Sequence, residues 1–487
     1  MTLPIERIDL VVHRMNLLKN FLSLAGAEVI SKIVTFAAFA YLARVAGPDV
    51  FGYLEFAGAT LFCAWLLVEQ GFGSYGAREI AKAPERTRDL VWEISLTRLI
   101  FAVIAYGAMI AFAFLSDHAA IVTKLLLIYG SSLIVGPFLL QWVFQGHDQM
   151  RVVAAAQVIK QTVFAGVVFG FAHDAALIWV AAVAEVAGAA SAATYVVFKY
   201  KRRFGAGRLR LKITGRLFRE GAVIGLSQMF WVARFFGATI ILGVIAPAGD
   251  IGYFAGALRI LVAIHAFVWL YCFNLLPSLS RLWREDHTGY VELVNRSMRV
   301  VSHLAIAMGL AWVALAPQAM TIFYGPAFAP GGEALQWMAG VFVVASLSCH
   351  YRYGLIAAGL QNVEAAASVC GAVVAAVAIP VGYTGFGLRG AAIGLLSAET
   401  SVWIITWGFG YRMLGLKGHS KLLLRPWIGL IIVSIFLWLT PLIPSMARAV
   451  VAAAAMIAMA LAFDSEARRL AIPHISSLWR RFEPERG

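Results

Sequence analysis

Apolar residues run along this chain in blocks of about 20 or more, separated by short polar or charged breaks. The blocks show neither the two-residue alternation of a half-buried strand nor the single stripe of a surface helix. A hydrocarbon core about 30 Å thick takes roughly 20 helical residues to cross. Each block therefore predicts one crossing, at 17–46, 50–72, 91–115, 121–145, 151–172, 175–199, 217–246, 250–280, 295–324, 332–359, 363–383, 387–411, 425–442 and 446–463. The pattern predicts an all-α polytopic membrane protein of about 14 transmembrane helices. Pro441 and Pro444 mark a short turn or a broken helix between the last two. The first block, Phe21 to Ala46, is longer than a signal core and reads as a retained helix.

The breaks suggest a layout. The basic stretch 199–216 divides twelve helices into a first half, 1–198, and a second, 217–412, followed by an extra pair over 413–463 and a tail, 464–487. The halves echo each other. Gly47-Pro48-Asp49-Val50-Phe51-Gly52-Tyr53 joins spans one and two, and Pro247-Ala248-Gly249-Asp250-Ile251-Gly252-Tyr253 joins spans seven and eight. Gly52/Gly252, Tyr53/Tyr253 and Ala57/Ala257 match at an offset of 200. Two copies of six crossings each are parallel repeats, an arrangement typical of transporters.

Composition agrees: 61% of residues are hydrophobic, 14% are charged, and the mean hydropathy is +0.80. The net charge of +14 raises the question of nucleic acid. With a cytoplasmic N-terminus, however, 30 of the 40 lysines and arginines fall in inside segments and only Arg44, Lys124, Arg389 and Arg448 fall outside. That asymmetry is the positive-inside pattern; it puts both termini in the cytoplasm and explains the basic charge without nucleic acid. Cys63, Cys272, Cys349 and Cys370 stand singly in apolar runs, which supports neither a metal site nor a disulfide framework. No HExxH, GxGxxG, Walker or Ser-His-Asp arrangement is convincing, so no cofactor, direct ATP drive or enzymatic activity is expected.

Six cations remain inside predicted spans: Lys32, Arg98, Lys160, Arg234, Arg259 and Arg352. Each costs at least about 2.5 kcal/mol at the centre of a lipid-facing helix, so it must snorkel, pair or face water. Snorkelling accounts for Arg98 and Arg352, near helix ends, as well as a functional role does. Lys32, Lys160, Arg234 and Arg259 lie deeper and point to a polar cavity. Glu28 and Lys32 form an i,i+4 pair, and Gln157, Lys160 and Gln161 form a polar stripe on span five. Glu55, Glu69, Glu185 and Glu399 are possible distant partners, the deeper Glu185 and Glu399 also being candidates for ion coupling. Arginine binds phosphate bidentately and lysine as a point charge, which favours an amphipathic, phosphate-bearing substrate.

Three stretches near the start, 41–53, Glu69-Gln70-Gly71-Phe72-Gly73 and Ala77-Arg78-Glu79-Ile80-Ala81-Lys82, resemble the opening of bacterial Wzx-type polysaccharide flippases. These belong to the multidrug/oligosaccharidyl-lipid/polysaccharide exporter superfamily. Trp142–Met150, 252–260 and 275–282 resemble later parts of the same family; beyond about residue 360 only the span count does. The resemblance implies two six-helix lobes in a V around a central cavity, with two further helices outside. It also implies alternating access that carries an undecaprenyl-diphosphate-linked oligosaccharide across the inner membrane, with a polysaccharide polymerase and a chain-length regulator as partners. Cations on spans one, two, seven and eight are typical there. Lys32, Arg234 and Arg259 fit, whereas span two carries Glu55 instead. A peptidoglycan-precursor flippase and a multidrug antiporter of the same superfamily are the nearest alternatives, and a membrane glycosyl polymerase or ligase lacks the large outer loop it usually needs.

Overall fold

The computed structural model describes residues 5–116, 118–205, 235–440 and 444–463, with the side chains of 5–25, 27–29 and scattered positions in the last two helices outside the described set. The described residues form helices and no strand. In chain order these are α1 (Ile5–Glu69), α2 (Phe72–Lys82), α3 (Thr87–Leu115), α4 (Ala120–Val135), α5 (Gln141–Gly146), α6 (Met150–Phe171) and α7 (Val180–Phe204). There follow α8 (Phe235–Ile245), α9 (Ala248–Glu285), α10 (His287–Tyr324), α11 (Gly331–Ala357), α12 (Gln361–Met413), α13 (His419–Leu439) and α14 (Ser445–Phe463). Among the described residues, nine helical segments are long and apolar enough to cross a membrane. Their outward faces suit lipid: Val373, Val377 and Val381 recur every four residues and are each at least 59% exposed. The chain forms two compact units, residues 1–252 and 253–487.

In unit 1 the dominant feature is α1. Sixty-five helical residues would span about 98 Å at 1.5 Å per residue, three times the hydrocarbon core. The helix is broken at Gly47, whose φ of 71° and ψ of 171° no L-residue adopts readily. Pro48 follows, where the missing N–H costs nothing because a new helical arm begins there. This turn packs against the start of α9. A Cβ on Gly52 would collide with the Ala248 carbonyl oxygen, and one on Gly252 with the Pro48 carbonyl oxygen. The two turns matched at an offset of 200 thus meet backbone to backbone, through the glycines that the repeat singled out.

The second arm of α1 ends at Glu69 in a tight reversal. Gln70 and Gly71 are left-handed, at φ 37° and 75°, and the Glu69 carboxylate accepts the Gly73 N–H at 3.0 Å. The short amphipathic α2 begins here. The apolar count missed it because Arg78, Glu79 and Lys82 interrupt the run, yet Phe72, Tyr75 and Ile80 are buried on its inner face. They join Ile94 of α3, Trp142 and Phe144 of α5, Val153 of α6 and Val196 of α7 in one hydrophobic core. Gly76 lies under the Trp142 ring, and a Cβ on Gly146 would press on Ile80 and the Ala77 carbonyl. The resembling stretches 69–82 and 142–150, far apart in sequence, are therefore one packed corner. The predicted crossing 121–145 is also interrupted. Gly136-Pro137 turns α4 into a short 3₁₀ segment, and α5 restarts at Gln141. Proline lacks the N–H that a continuing helix needs.

In unit 2, α11 is the central post. In its most apolar stretch 78% of residues are buried, against 28% for α12. The 53-residue α12 is hinged at Gly387, φ 62° and ψ −144°. Gly382 and Gly390 touch across the hinge, each leaving no room for a Cβ against the other's carbonyl. Residues eight apart in a straight helix stand about 12 Å from each other, so the contact shows that the chain reverses here. Asp286 caps α10, its side chain accepting the Gly289 N–H at 2.9 Å.

Candidate functional site

The polar positions of α1, α6 and α7 converge in unit 1. The Thr35 hydroxyl lies 2.8 Å from Gln161 Oε1 and 2.7 Å from the Ser31 carbonyl. At the neighbouring position on α6, Lys160 Nζ is 2.6 Å from Glu185 Oε1 of α7, both side chains about one-quarter exposed. Gly188 makes this pair possible. It sits one turn beyond Glu185, and a Cβ there would come within 2.7 Å of the Lys160 carbonyl. Lys160 thus reaches the face with its charge neutralised. Lys32 is exposed on α1, one turn before Thr35, and Gln157 is half-buried on α6. The face as a whole offers one exposed cation, amide groups and an ion pair. Such a surface can hold water, hydroxyls and an anionic group at membrane depth. The Glu28 side chain and Arg234 lie outside the described residues.

Arg98 and Arg352 do not snorkel. Arg98 is 3% exposed and ion-paired with Glu69, whose other carboxylate oxygen holds Gly73. Arg352 Nε donates to Glu364 Oε1 at 2.8 Å, its Nη2 also contacts that oxygen, and Ser368 donates to it at 3.1 Å. Both are interhelical ties, α3 to the end of α1 and α11 to α12. Near helix ends a surface is within reach, but a carboxylate nearer still satisfies the guanidinium without stretching the side chain. Arg259 is half-buried on α9 and Glu399 is 1% exposed on α12, both in unit 2.

Unit 2 also holds a polar chain that the sequence pattern left unmarked. The Nδ1 of buried His350 faces the Ser346 carbonyl at 3.3 Å, which requires a proton on Nδ1. Nε2 then accepts from Ser297 at 2.8 Å, and Ser297 accepts from Tyr271 at 2.9 Å. Donation runs from the 41%-exposed Tyr271 inward to His350, linking α9, α10 and α11. A chain of this polarity can pass a proton between a buried imidazole and a wetter phenol. The available signal was Ser346, Ser348 and His350 recurring inside an otherwise apolar run.

Comparison with known proteins places this arrangement. The chain belongs to the family described as polysaccharide biosynthesis protein, whose model matches residues 17–283. It is similar to the protein of Escherichia coli (strain K12) named "Putative O-antigen transporter", at 23% identity over 328 residues, 65% of this chain and 77% of that protein. Among solved structures it resembles the lipid II flippase MurJ in its inward closed conformation, with a TM-score of 0.71, 14% identity, and coverage of 92% of this chain and 99% of that one. It also resembles an inward-facing multidrug resistance MATE family transporter of the MOP superfamily, with a TM-score of 0.66, 14% identity, and coverage of 82% and 99%. At that identity the two structural likenesses establish the fold alone, all-helical, and the nine long apolar segments among the described residues make it that of a multi-pass membrane protein.

Proposed function

We propose that this protein is a flippase for lipid-linked oligosaccharides, moving undecaprenyl-diphosphate-linked repeat units from the inner to the outer leaflet of the cytoplasmic membrane for surface polysaccharide synthesis. The observation that carries the reading is the polysaccharide biosynthesis family match over residues 17–283, on a fold shared with a lipid-linked-precursor flippase. The O-antigen transporter relative points to the same substrate class. Neither the sugar nor the diphosphate crosses hydrocarbon unaided, because each polar group would lose its hydrogen bonds to water. A wet, cation-bearing cleft removes that cost while the polyprenyl tail stays in lipid.

Fourteen crossings fit this reading. The hinged elements carrying Gly47 and Gly387 each count as two, and the apolar helices 235–245, 422–435 and 445–459 add three to the nine candidates. The charge asymmetry along the chain supports cytoplasmic termini, with the Gly47 and Gly387 turns on the outer side. In this reading two six-helix lobes form a V and rock about a central cavity to which Lys32, Arg234 and Arg259 bring positive charge. Lys160 serves through its pair with Glu185, and Glu399 and the His350 chain are the candidates for ion coupling. A polymerase and a chain-length regulator take up the exported units.

The test is deletion in the native host, followed by identification of any lipid-linked sugar that accumulates on the cytoplasmic leaflet. Accumulation of a repeat-unit precursor is expected. Accumulation of the peptidoglycan precursor would instead favour the cell-wall flippase reading, and drug sensitivity alone would favour a multidrug antiporter. Complementing with Lys32→Ala, Arg234→Ala or Arg259→Ala should strongly reduce export with membrane levels intact, and normal translocation in all three would count against a phosphate-binding cavity.

A further inference from the structure

Unit 2 contains an open-sided cavity of about 690 Å³ lined by α10, α11, α12, α13 and α14. Its polar groups are sorted along its length. Gln318 lies six residues before the end of α10, Gln336 five residues after the start of α11, and Arg448 three residues after the start of α14. At 1.5 Å per residue each falls within about 9 Å of its own helix end, Gln318 and Gln336 on either side of the 325–330 turn. Deeper in, the lining is mainly apolar and aromatic, including Leu310, Val343, Trp403 and Trp427, with the Thr400 hydroxyl among them. The Trp403 and Trp427 rings, 6.3 Å apart, line this inner part. Ile306, the deepest lining residue of α10, stands twelve residues before Gln318, roughly 18 Å along the helix axis from the mouth.

Three polar atoms of lining residues are buried without a hydrogen-bond partner among the described residues: the donor Arg448 Nε and the acceptor Gln318 Oε1 at the mouth, and the donor Trp403 Nε1 deeper in. Leaving such groups unmet is costly, most of all at a charge. An occupant that meets the two at the mouth needs an anionic acceptor for the guanidinium, a hydroxyl donor for the amide and a long apolar tail for the inner trough. The trough's depth, about half of a 30 Å hydrocarbon core, matches one acyl chain in one leaflet.

We propose that this cavity is a binding site for one anionic phospholipid, its phosphate on Arg448, a headgroup or glycerol hydroxyl on Gln318, and one acyl chain lying against Trp403 and Trp427. The lipid fills the seam between α13–α14 and the rest of unit 2, and so cements the last two helices to the bundle. This site does not depend on what the protein transports.

The experiment uses the purified full-length chain delipidated in mild detergent and then exposed to phosphatidylglycerol or phosphatidylcholine, with retained lipid counted by native mass spectrometry. Selective retention of one phosphatidylglycerol is expected. Arg448→Ala should weaken that retention about fivefold, the worth of one arginine beside an anionic lipid surface. Thr400→Trp, which fills the trough and leaves Arg448 in place, should abolish it. A folding control is built in: phosphatidylglycerol with brominated chains should quench tryptophan fluorescence in the native chain, and quench it less in Trp403→Phe/Trp427→Phe. Equal retention of both lipids, retention indifferent to Arg448→Ala and Thr400→Trp, or displacement by a polyprenyl phosphate but not by phosphatidylglycerol would overturn the proposal.

Discussion

At the scale of single residues, charge placement inside the membrane is settled by pairing. The sequence marks six cations at membrane depth; among the described residues Arg98, Lys160 and Arg352 meet carboxylates on neighbouring helices. Residue types and depth were legible, and Glu69 and Glu185 were already marked as acids able to reach across helices. Which cation meets which acid was not, because partners 12 to 29 residues apart become neighbours only once close contacts such as Gly188 against Lys160 set the helix spacing. Breaking a buried pair leaves one charge stranded, at a cost of about 3–5 kcal/mol. Arg98→Ala is therefore expected to destabilise unit 1 strongly and Arg98→Ala/Glu69→Ala less, measured by thermal unfolding of the solubilised protein. A second residue-scale prediction concerns His147, in the turn before α6. Burial first, and then the positive charge of Arg203, hold its pKa below the usual 6.5. The unfolded chain therefore takes up a proton before the folded one does. Stability from this group is complete above about pH 6.5 and declines as the pH falls toward the lower folded-state value. His147→Gln should remove that part of the acid sensitivity in a pH series of unfolding midpoints.

At the scale of elements, helices were legible where they are apolar, and breaks where glycine and proline stand together. The turn at Gly47-Pro48 and the boundary near Gly387 both fall where the sequence puts them. Elements that divide their surface between lipid, water and protein were not legible. The amphipathic α2 dissolves into an inter-span break when charges are counted, and the Gly136-Pro137 interruption hides inside an apolar run. The joint between the two matched turns makes its own prediction. In a cysteine-free background, Asp49→Cys and Gly249→Cys should cross-link readily in membranes, since a Cβ at 249 would lie 3.7 Å from the Asp49 carboxyl carbon. Gly52→Val should lower the yield of that cross-link sharply, because its side chain would take the place of the Ala248 carbonyl contact. An undiminished yield would mean that the turns do not approach as described.

At the scale of the whole molecule, hydropathy and charge asymmetry were enough to name a polytopic membrane protein, and ordered short motifs were enough to name the family. The reason is physical: a bilayer imposes a length and a polarity on every crossing, so one dimension of the fold is written directly into the chain. The polar interior is not written that way. His350, Ser297 and Tyr271 come from three helices and look unremarkable in each. His350→Ala should leave membrane levels intact and change the pH dependence of export if this chain carries protons; an unchanged profile would confine it to a structural role.

The meeting of Gly52 with Ala248 and of Gly252 with Pro48 has one more implication. Exchanging each residue for its counterpart 200 positions away turns the first contact into the second, which is the signature of an isologous patch. A half-length ancestor carrying this patch would have been able to dimerise through it, a single glycine serving both sides of the interface. Once two copies are joined in one gene, each glycine is free to drift alone; steric exclusion at both positions is what still ties them to the same residue.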